Sequence, residues 1–329
     1  MTRVGILSLA HLHAESYLPI LQGMASVEVA GISDEDSARG RDLAARSGAR
    51  LFPSHEALLA EGLDAAIVCS ENARHRELVE LAAAAGCHVL CEKQIEASLE
   101  DAEAMRAACE RAGVSFMTAF PMRFDPSVAA ARANLLAGHY GPLRAVNGIN
   151  HSEIPVAHRA WFGDAALAGG GAVMDHTPHL VDLLRWTLGA EVTKVFAEVF
   201  DPLGAGVDTA GLASITFSDG TVAALDCSWS RPTTYPRWGH LKMEWLTERG
   251  LVAVDAFADH LDVYAKGASR PAEWVGYGGN ADEAMLAEFI SAAREARPPS
   301  VTWNDGYQAL RVALACYESA RTGRVVDLA

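Results

Sequence analysis

The first place where residue type and spacing point to chemistry is a tight turn followed, about 20 residues later, by a carboxylate. The turn reads Gly5-Ile6-Leu7-Ser8-Leu9-Ala10-His11-Leu12-His13-Ala14, and the carboxylate is Asp34. Dinucleotide-binding turns carry glycine because their backbone must approach a pyrophosphate and offer it the amides of a helix N-terminus. Here the three fingerprint positions are Ser8, Ala10 and His13, none of them glycine. Ala10 still allows a close approach, while Ser8, His11 and His13 can add polar contacts to phosphate. Asp34 can accept from both hydroxyls of an adenosine ribose and repels a 2′-phosphate, so NAD is expected, with NADP kept open by Arg39 nearby. Two plainer readings cover the same residues: an ordinary strand-to-helix turn, and an aspartate capping a helix over Asp36–Arg46.

A second cluster lies downstream. Asp175 and His179 are four apart after Gly169-Gly170-Gly171, which places both on one face of the helix that follows. His176 sits between them and His151 lies in an earlier strand-like run, so residue types alone admit a zinc ion. Trp161-Phe162 and Trp229 read as packing at a domain interface, and either can also line the face of a sugar. The six cysteines lack the paired spacing of a disulfide framework or a zinc site and are expected to be reduced thiols in a cytoplasm.

Two kinds of architecture are needed to hold these groups. Through the first third, short apolar runs (Val4–Leu9, Val27–Ser33, Ala65–Ser70, His88–Cys91, Val114–Ala119) alternate with helix-forming stretches such as Arg74–Ala85 and Leu99–Ala112, stopped by Gly86 and Gly113. That alternation predicts an α/β, doubly wound Rossmann sheet of parallel strands and crossover helices. Beyond residue 121 the runs lengthen (Leu143–Asn150, Val192–Val199, Leu212–Phe217, Val222–Trp229, Leu241–Thr247, Leu251–Val254) and helices become few. A second, α+β domain with a large, mostly antiparallel open sheet is expected there. Ser218-Asp219-Gly220-Thr221 reads as a hairpin turn, and Pro298-Pro299 separates closing helices near Ala281–Ala296 and Gly306–Thr322. At 329 residues, 50% hydrophobic and 21% charged, the chain suits two globular domains, 1–121 and 122–329. A formal net charge of -15 argues against nucleic acid or an anionic membrane as partner and favours a small molecule. No apolar run approaches the ~20 residues of a membrane span, and Val4–Ala10 reads as a first strand and not as a signal peptide.

Four further segments bring a resemblance: Asn72-Ala73-Arg74-His75, Gly86-Cys87-His88-Val89-Leu90-Cys91-Glu92-Lys93, Met122-Arg123-Phe124-Asp125-Pro126, and the stretch from Gly169 to Asp182. In order and spacing they resemble the glucose-fructose oxidoreductase, inositol dehydrogenase and rhizopine-catabolism superfamily (Gfo/Idh/MocA) over nearly all of the chain. The resemblance implies that Glu92-Lys93 faces a nicotinamide, with Lys93 touching the reacting hydroxyl. Ligands of such sheets bind beyond the carboxyl ends of the strands, and a partly desolvated lysine there suits proton exchange. It also implies that His179 is the proton acceptor or a substrate hydrogen-bond partner, and that Asp175 holds the substrate or orients the relay. Ser70, Asn72 and His75 join the expected cofactor set, and Arg123, His151, Trp161 and His176 the expected substrate set. The chain departs from the family at Gln94, where proline is usual and often cis, at Thr177 in place of a glycine, and at the added His176. Hydride transfer requires no metal, and none is expected.

The resulting expectation is an NAD(P)-dependent dehydrogenase acting on a CH-OH group of a sugar, cyclitol or related polyol. A sheet face left uncovered by helices in the second domain should pair copies into a homodimer or homotetramer. Two alternatives stay open: an NAD-assisted glycoside hydrolase, which would free an aglycone with no net NADH, and a catalytically silent nicotinamide-binding sensor of the same fold.

Overall fold

The computed structural model describes residues 1–264, 270–276 and 278–328, and the chain divides into two units. The first comprises Met1–Phe120 with Ala166–Gly169 and Asp282–Tyr307. Its chain runs β1 (Thr2–Leu7), α1 (His13–Gly23), β2 (Val27–Ser33), α2 (Ser37–Ser47), β3 (Leu51–Phe52) and α3 (His55–Leu59), then β4 (Ala65–Val68), α4 (His75–Ala84), β5 (His88–Cys91), α5 (Leu99–Ala112) and β6 (Phe116–Thr118). β1, β4, β5 and β6 are short, mostly apolar runs buried on both faces, as the middle of a parallel sheet requires, while β2 is partly exposed at its start. All pair in parallel, in the order β3-β2-β1-β4-β5-β6, so the winding reverses between β1 and β4. Helices start where side chains satisfy free amides: Asp36 accepts from Ala38 and Arg39, and Ser98 from Asp101. Gly113 ends α5 at φ 67°.

The second unit comprises Pro121–Ala165, Gly170–Ala281 and Gln308–Ala329. Its elements include α6 (Pro126–Leu136), β7 (Leu143–Ser152), α7 (Ala165–Ala168, shared with the first unit), α8 (Ala172–Leu188), β8 (Val192–Phe200), β9 (Ala210–Phe217), β10 (Val222–Ser228), β11 (Gly239–Thr247) and β12 (Gly250–Asp255). A small hairpin, β13 (His260–Val263) with β14 (Glu273–Gly276), precedes α9 (Ala281–Glu295), α10 (Trp303–Thr322) and β15 (Val326–Asp327). Seven strands form one sheet in the order β12-β11-β7-β10-β9-β8-β15, antiparallel except for the β7–β10 pair. The expected hairpin turn joins β9 to β10, with Gly220 at φ 88°. α8 covers one face of this sheet: the Asn150 amide donates to the His176 carbonyl and the Thr177 hydroxyl to Cys227 Sγ.

The change of unit at Phe120–Pro121 falls beside the boundary expected after residue 121, but the second segment is not continuous. Residues 282–307 return to the first unit, where the Thr118 hydroxyl donates to the Thr302 carbonyl at 3.0 Å and Trp303 Nε1 to the Ala102 carbonyl at 2.8 Å. Gly306 makes that return possible, since a Cβ there would lie 2.5 Å from both Ile95 and Thr118 side-chain atoms.

Candidate functional site

β1 stops two residues short of the expected Leu9 because Ser8 adopts φ 63°. This left-handed conformation normally favours glycine. The fingerprint turn therefore keeps its backbone shape without its glycine. Three hydrogen bonds place it among the strand ends: Ser8 N donates to the Ser33 carbonyl (2.9 Å), Leu9 N to Asp34 Oδ1 (3.4 Å) and His11 N to the Cys69 carbonyl (2.8 Å). Ala10 is fully buried and its amide donates to Ser8 Oγ.

Asp34 does not stand open as expected. Arg39 grips both its oxygens, Nε to Oδ2 and Nη2 to Oδ1, each at 2.6 Å. The cap of α2 is Asp36 and not Asp34.

At the end of β5, Glu92 is fully buried and Lys93 is 5% exposed. The Lys93 amide donates to Glu92 Oε2 at 3.2 Å. Two imidazoles converge on the same carboxylate: His13 Nδ1 lies 3.1 Å from Oε1 and His11 Nδ1 3.9 Å from Oε2. Burial by itself would raise the Glu92 carboxyl, but the His13 and His11 imidazoles and hydrogen bonds from His13 and Tyr17 hold it well below the usual carboxylate range. Burial opposes charge on His13, yet Glu92 and Asp282 raise its pKa above the ordinary value.

The loop behind this pair holds several buried polar atoms without a protein partner. They are Asn72 Oδ1, His75 Nε2, and both Oε1 and Nε2 of Gln94. Asn72 and His75 are otherwise anchored, the first donating to the Ala168 carbonyl at 2.8 Å and the second bonded through Nδ1 to the Ile95 carbonyl at 3.1 Å. Burial lowers the His75 pKa, which keeps the ring neutral. Ser70, also fully buried, donates to the Glu71 carbonyl. The Lys93–Gln94 peptide is cis, as the family's proline often is. Unsatisfied buried donors and acceptors are each unfavourable by about 1–3 kcal/mol, so this end of β4 and β5 has the character of a polar ligand cradle. These residues fit a dinucleotide at the winding reversal, the position where such sheets bind their ligands.

In the second unit, α8 carries Asp175 and His179. Its free N-terminal amides are capped from a distance: Asp208 accepts from Gly171 N and Val173 N at 2.7 Å each, and from the Tyr317 hydroxyl at 2.8 Å. A Cβ on Gly171 would meet the Asp208 carbonyl at 1.8 Å, so that contact requires glycine. Of residues 172–180 only Asp175 and His179 are not buried, in keeping with one shared face. Asp175 Oδ2 accepts from Trp229 Nε1 at 3.1 Å and lies 3.5 Å from His176 Nε2, which in turn lies 3.1 Å from Ser152 Oγ.

Three further residues expected to bind substrate have protein contacts of their own. Arg123 is 7% exposed and forks onto Asp182, Nε to Oδ2 at 2.8 Å, a buried ion pair that braces the start of the unit. His151 follows Asn150 and precedes Ser152, both of which face α8. Strand alternation therefore turns it to the opposite sheet face, where it lies 3.0 Å from Asp226. It thus does not cluster with Asp175 and His176. Trp161 is 7% exposed and stacked on Phe162 with ring centroids 3.9 Å apart, which fits packing. Sequence reading missed the Asp208–Tyr317 cap and the Trp229–Asp175 bond. Both join residues too far apart in the chain for any local signal.

Residues 3–120 match the model of an oxidoreductase family with an NAD-binding Rossmann fold, and residues 128–253 that of the GFO/IDH/MocA C-terminal domain. A D-xylose 1-dehydrogenase (NADP(+)) of Haloferax volcanii is 32% identical over 98% of this chain and 99% of its own. A myo-inositol dehydrogenase, Hyg17, of Streptomyces leeuwenhoekii is 30% identical over 89% and 90%. Among solved structures, GenD2 from gentamicin A biosynthesis in complex with NAD superposes with a TM-score of 0.90 at 25% identity, covering 100% of this chain and 96% of GenD2.

Proposed function

This chain belongs to the Gfo/Idh/MocA family of NAD(P)-dependent oxidoreductases, and on that premise we propose that Lys93, His179 and Asp175 handle the hydroxyl proton of its polyol substrate. Its relatives are dehydrogenases acting on sugar and cyclitol hydroxyl groups, and the chain is an oxidoreductase of that class. The observation that carries the reading is the buried polar cradle after β4 and β5, where Asn72, His75 and Gln94 present unpartnered atoms beside Lys93.

When bound, the nicotinamide supplies the hydride chemistry. Ser8, Ala10, His11 and His13 would hold the phosphates of the dinucleotide, Asp34 its adenosine ribose, and Asn72, His75, Gln94 and the Glu92-Lys93 pair its nicotinamide end. Ser70 shapes that cradle from beneath. Lys93 hydrogen-bonds the reacting oxygen through its ammonium and lowers the cost of charge developing there. His179 accepts the hydroxyl proton. Asp175, held by Trp229, orients substrate or relay, and His176 supports Asp175. The second domain binds the substrate and pairs copies of the chain through the sheet face that α8 leaves uncovered. The six cysteines are all free and buried, which suits a reducing cytoplasm.

The test is a panel of aldoses, cyclitols and their derivatives with NAD or NADP, followed by absorbance of the reduced cofactor. Reduced cofactor in step with substrate loss is expected. Release of an aglycone without it would replace this reading with redox-assisted glycoside cleavage.

A further inference from the structure

We propose that His11, His13 and Glu92 bind a divalent transition-metal ion of the zinc type. One nitrogen of each imidazole and one carboxylate oxygen lie within 4.8 Å of one another, the only such grouping of three among the described residues. Metal bonds of about 2.0–2.2 Å at tetrahedral angles set donor atoms about 3.4 Å apart. His13 Nδ1 lies 3.1 Å from Glu92 Oε1 and His11 Nδ1 3.9 Å from Oε2, so the carboxylate must turn to bring one oxygen to both rings.

The cluster is buried, with the His11 and Glu92 side chains 4% and 0% exposed, so an ion held there would be largely shielded from water. Tyr17, fully buried, places its hydroxyl 3.3 Å from the same His13 Nδ1, on the side that faces Glu92, and would have to yield that nitrogen to an ion. Two imidazoles and one carboxylate are the donor set of borderline ions, and three protein ligands leave a position open to water or to an oxygen of a bound molecule.

Full-length protein, stripped with a chelator and free of dinucleotide, is titrated with cobalt(II) and followed by its visible d–d absorption. A saturable band at one equivalent is expected, displaced by zinc(II) and not by magnesium(II) at equal concentration. His13→Gln and Glu92→Gln should each weaken cobalt affinity by on the order of 10-fold or more, since even outer-shell losses reach ~10–100-fold. A wild-type protein with no saturable band overturns the proposal. So does a band unchanged in both variants, which would arise at other histidines. The wild-type titration decides the matter if a variant fails to fold. Absent dinucleotide, a failed oxidoreductase reading would show as lack of turnover and leave this titration unaffected.

Discussion

On the proposed reading, the ion pair of Asp34 and Arg39 sets the choice of dinucleotide. The spacing from the turn singled out Asp34, and Arg39 stood nearby in the chain, but their fork depends on side-chain geometry that spacing does not carry. Asp34→Ala removes the ribose acceptor and releases a guanidinium suited to a 2′-phosphate. NAD affinity should fall and the NADP/NAD preference should shift toward NADP by about tenfold, or about 1.4 kcal/mol. Titrations with both dinucleotides check this, and equal losses for the two would contradict it. His151 shows the reverse case. Its type suggested a site, but which sheet face the covering helix takes decides where a strand residue points, and that is a tertiary fact. Ser8 teaches a third lesson: the turn kept the shape that glycine usually provides, so the fingerprint was legible in position and not in residue type.

Elements with strong local signals were readable. The runs beginning at Val27, Ala65 and His88 became strands with little change, and α5 has the expected bounds. β3 and β15, two residues each, were not expected, because so short a run has no period. α4 is fastened at its start by Glu96 from the loop after β5, which accepts from Arg76 N and from its own neighbour Ala97 N, each at 3.0 Å. Glu96 is 1% exposed. Burial outweighs those two amides and pushes its carboxyl up from 4.5 to about 7. Between these values the native state holds more protons than the unfolded chain, so this group makes stability fall as pH rises from about 4.5 to about 7. Glu96→Gln, neutral throughout, should gain on the wild type by on the order of 3 kcal/mol between about pH 4 and about pH 8. Urea unfolding at both pH values measures it, and a pH-independent difference would contradict the assignment.

At the scale of the whole molecule, the parallel sheet of the first part and the mixed sheet of the second followed from the change in rhythm near residue 121. The return of residues 282–307 to the first unit did not, since nothing local distinguishes a helix that packs on its own domain from one that packs on another. The uncovered face of the large sheet carries Phe196, Phe200, Leu212, Val222, Leu246 and Leu251, each 40% to 63% exposed. So much apolar surface on one face marks an interaction site. Sedimentation at micromolar concentration should show a dimer or tetramer, and Leu246→Glu with Leu251→Glu should dissociate it. A strictly monomeric wild type would contradict that. The central claim is that the molecule is an oxidoreductase working through Lys93. Lys93→Met keeps the buried stem and removes the charged donor, so melting temperature and NAD affinity should stay near wild type. Its turnover on the best polyol of the panel should fall by on the order of 10²–10⁴. Turnover equal to wild type would contradict the account.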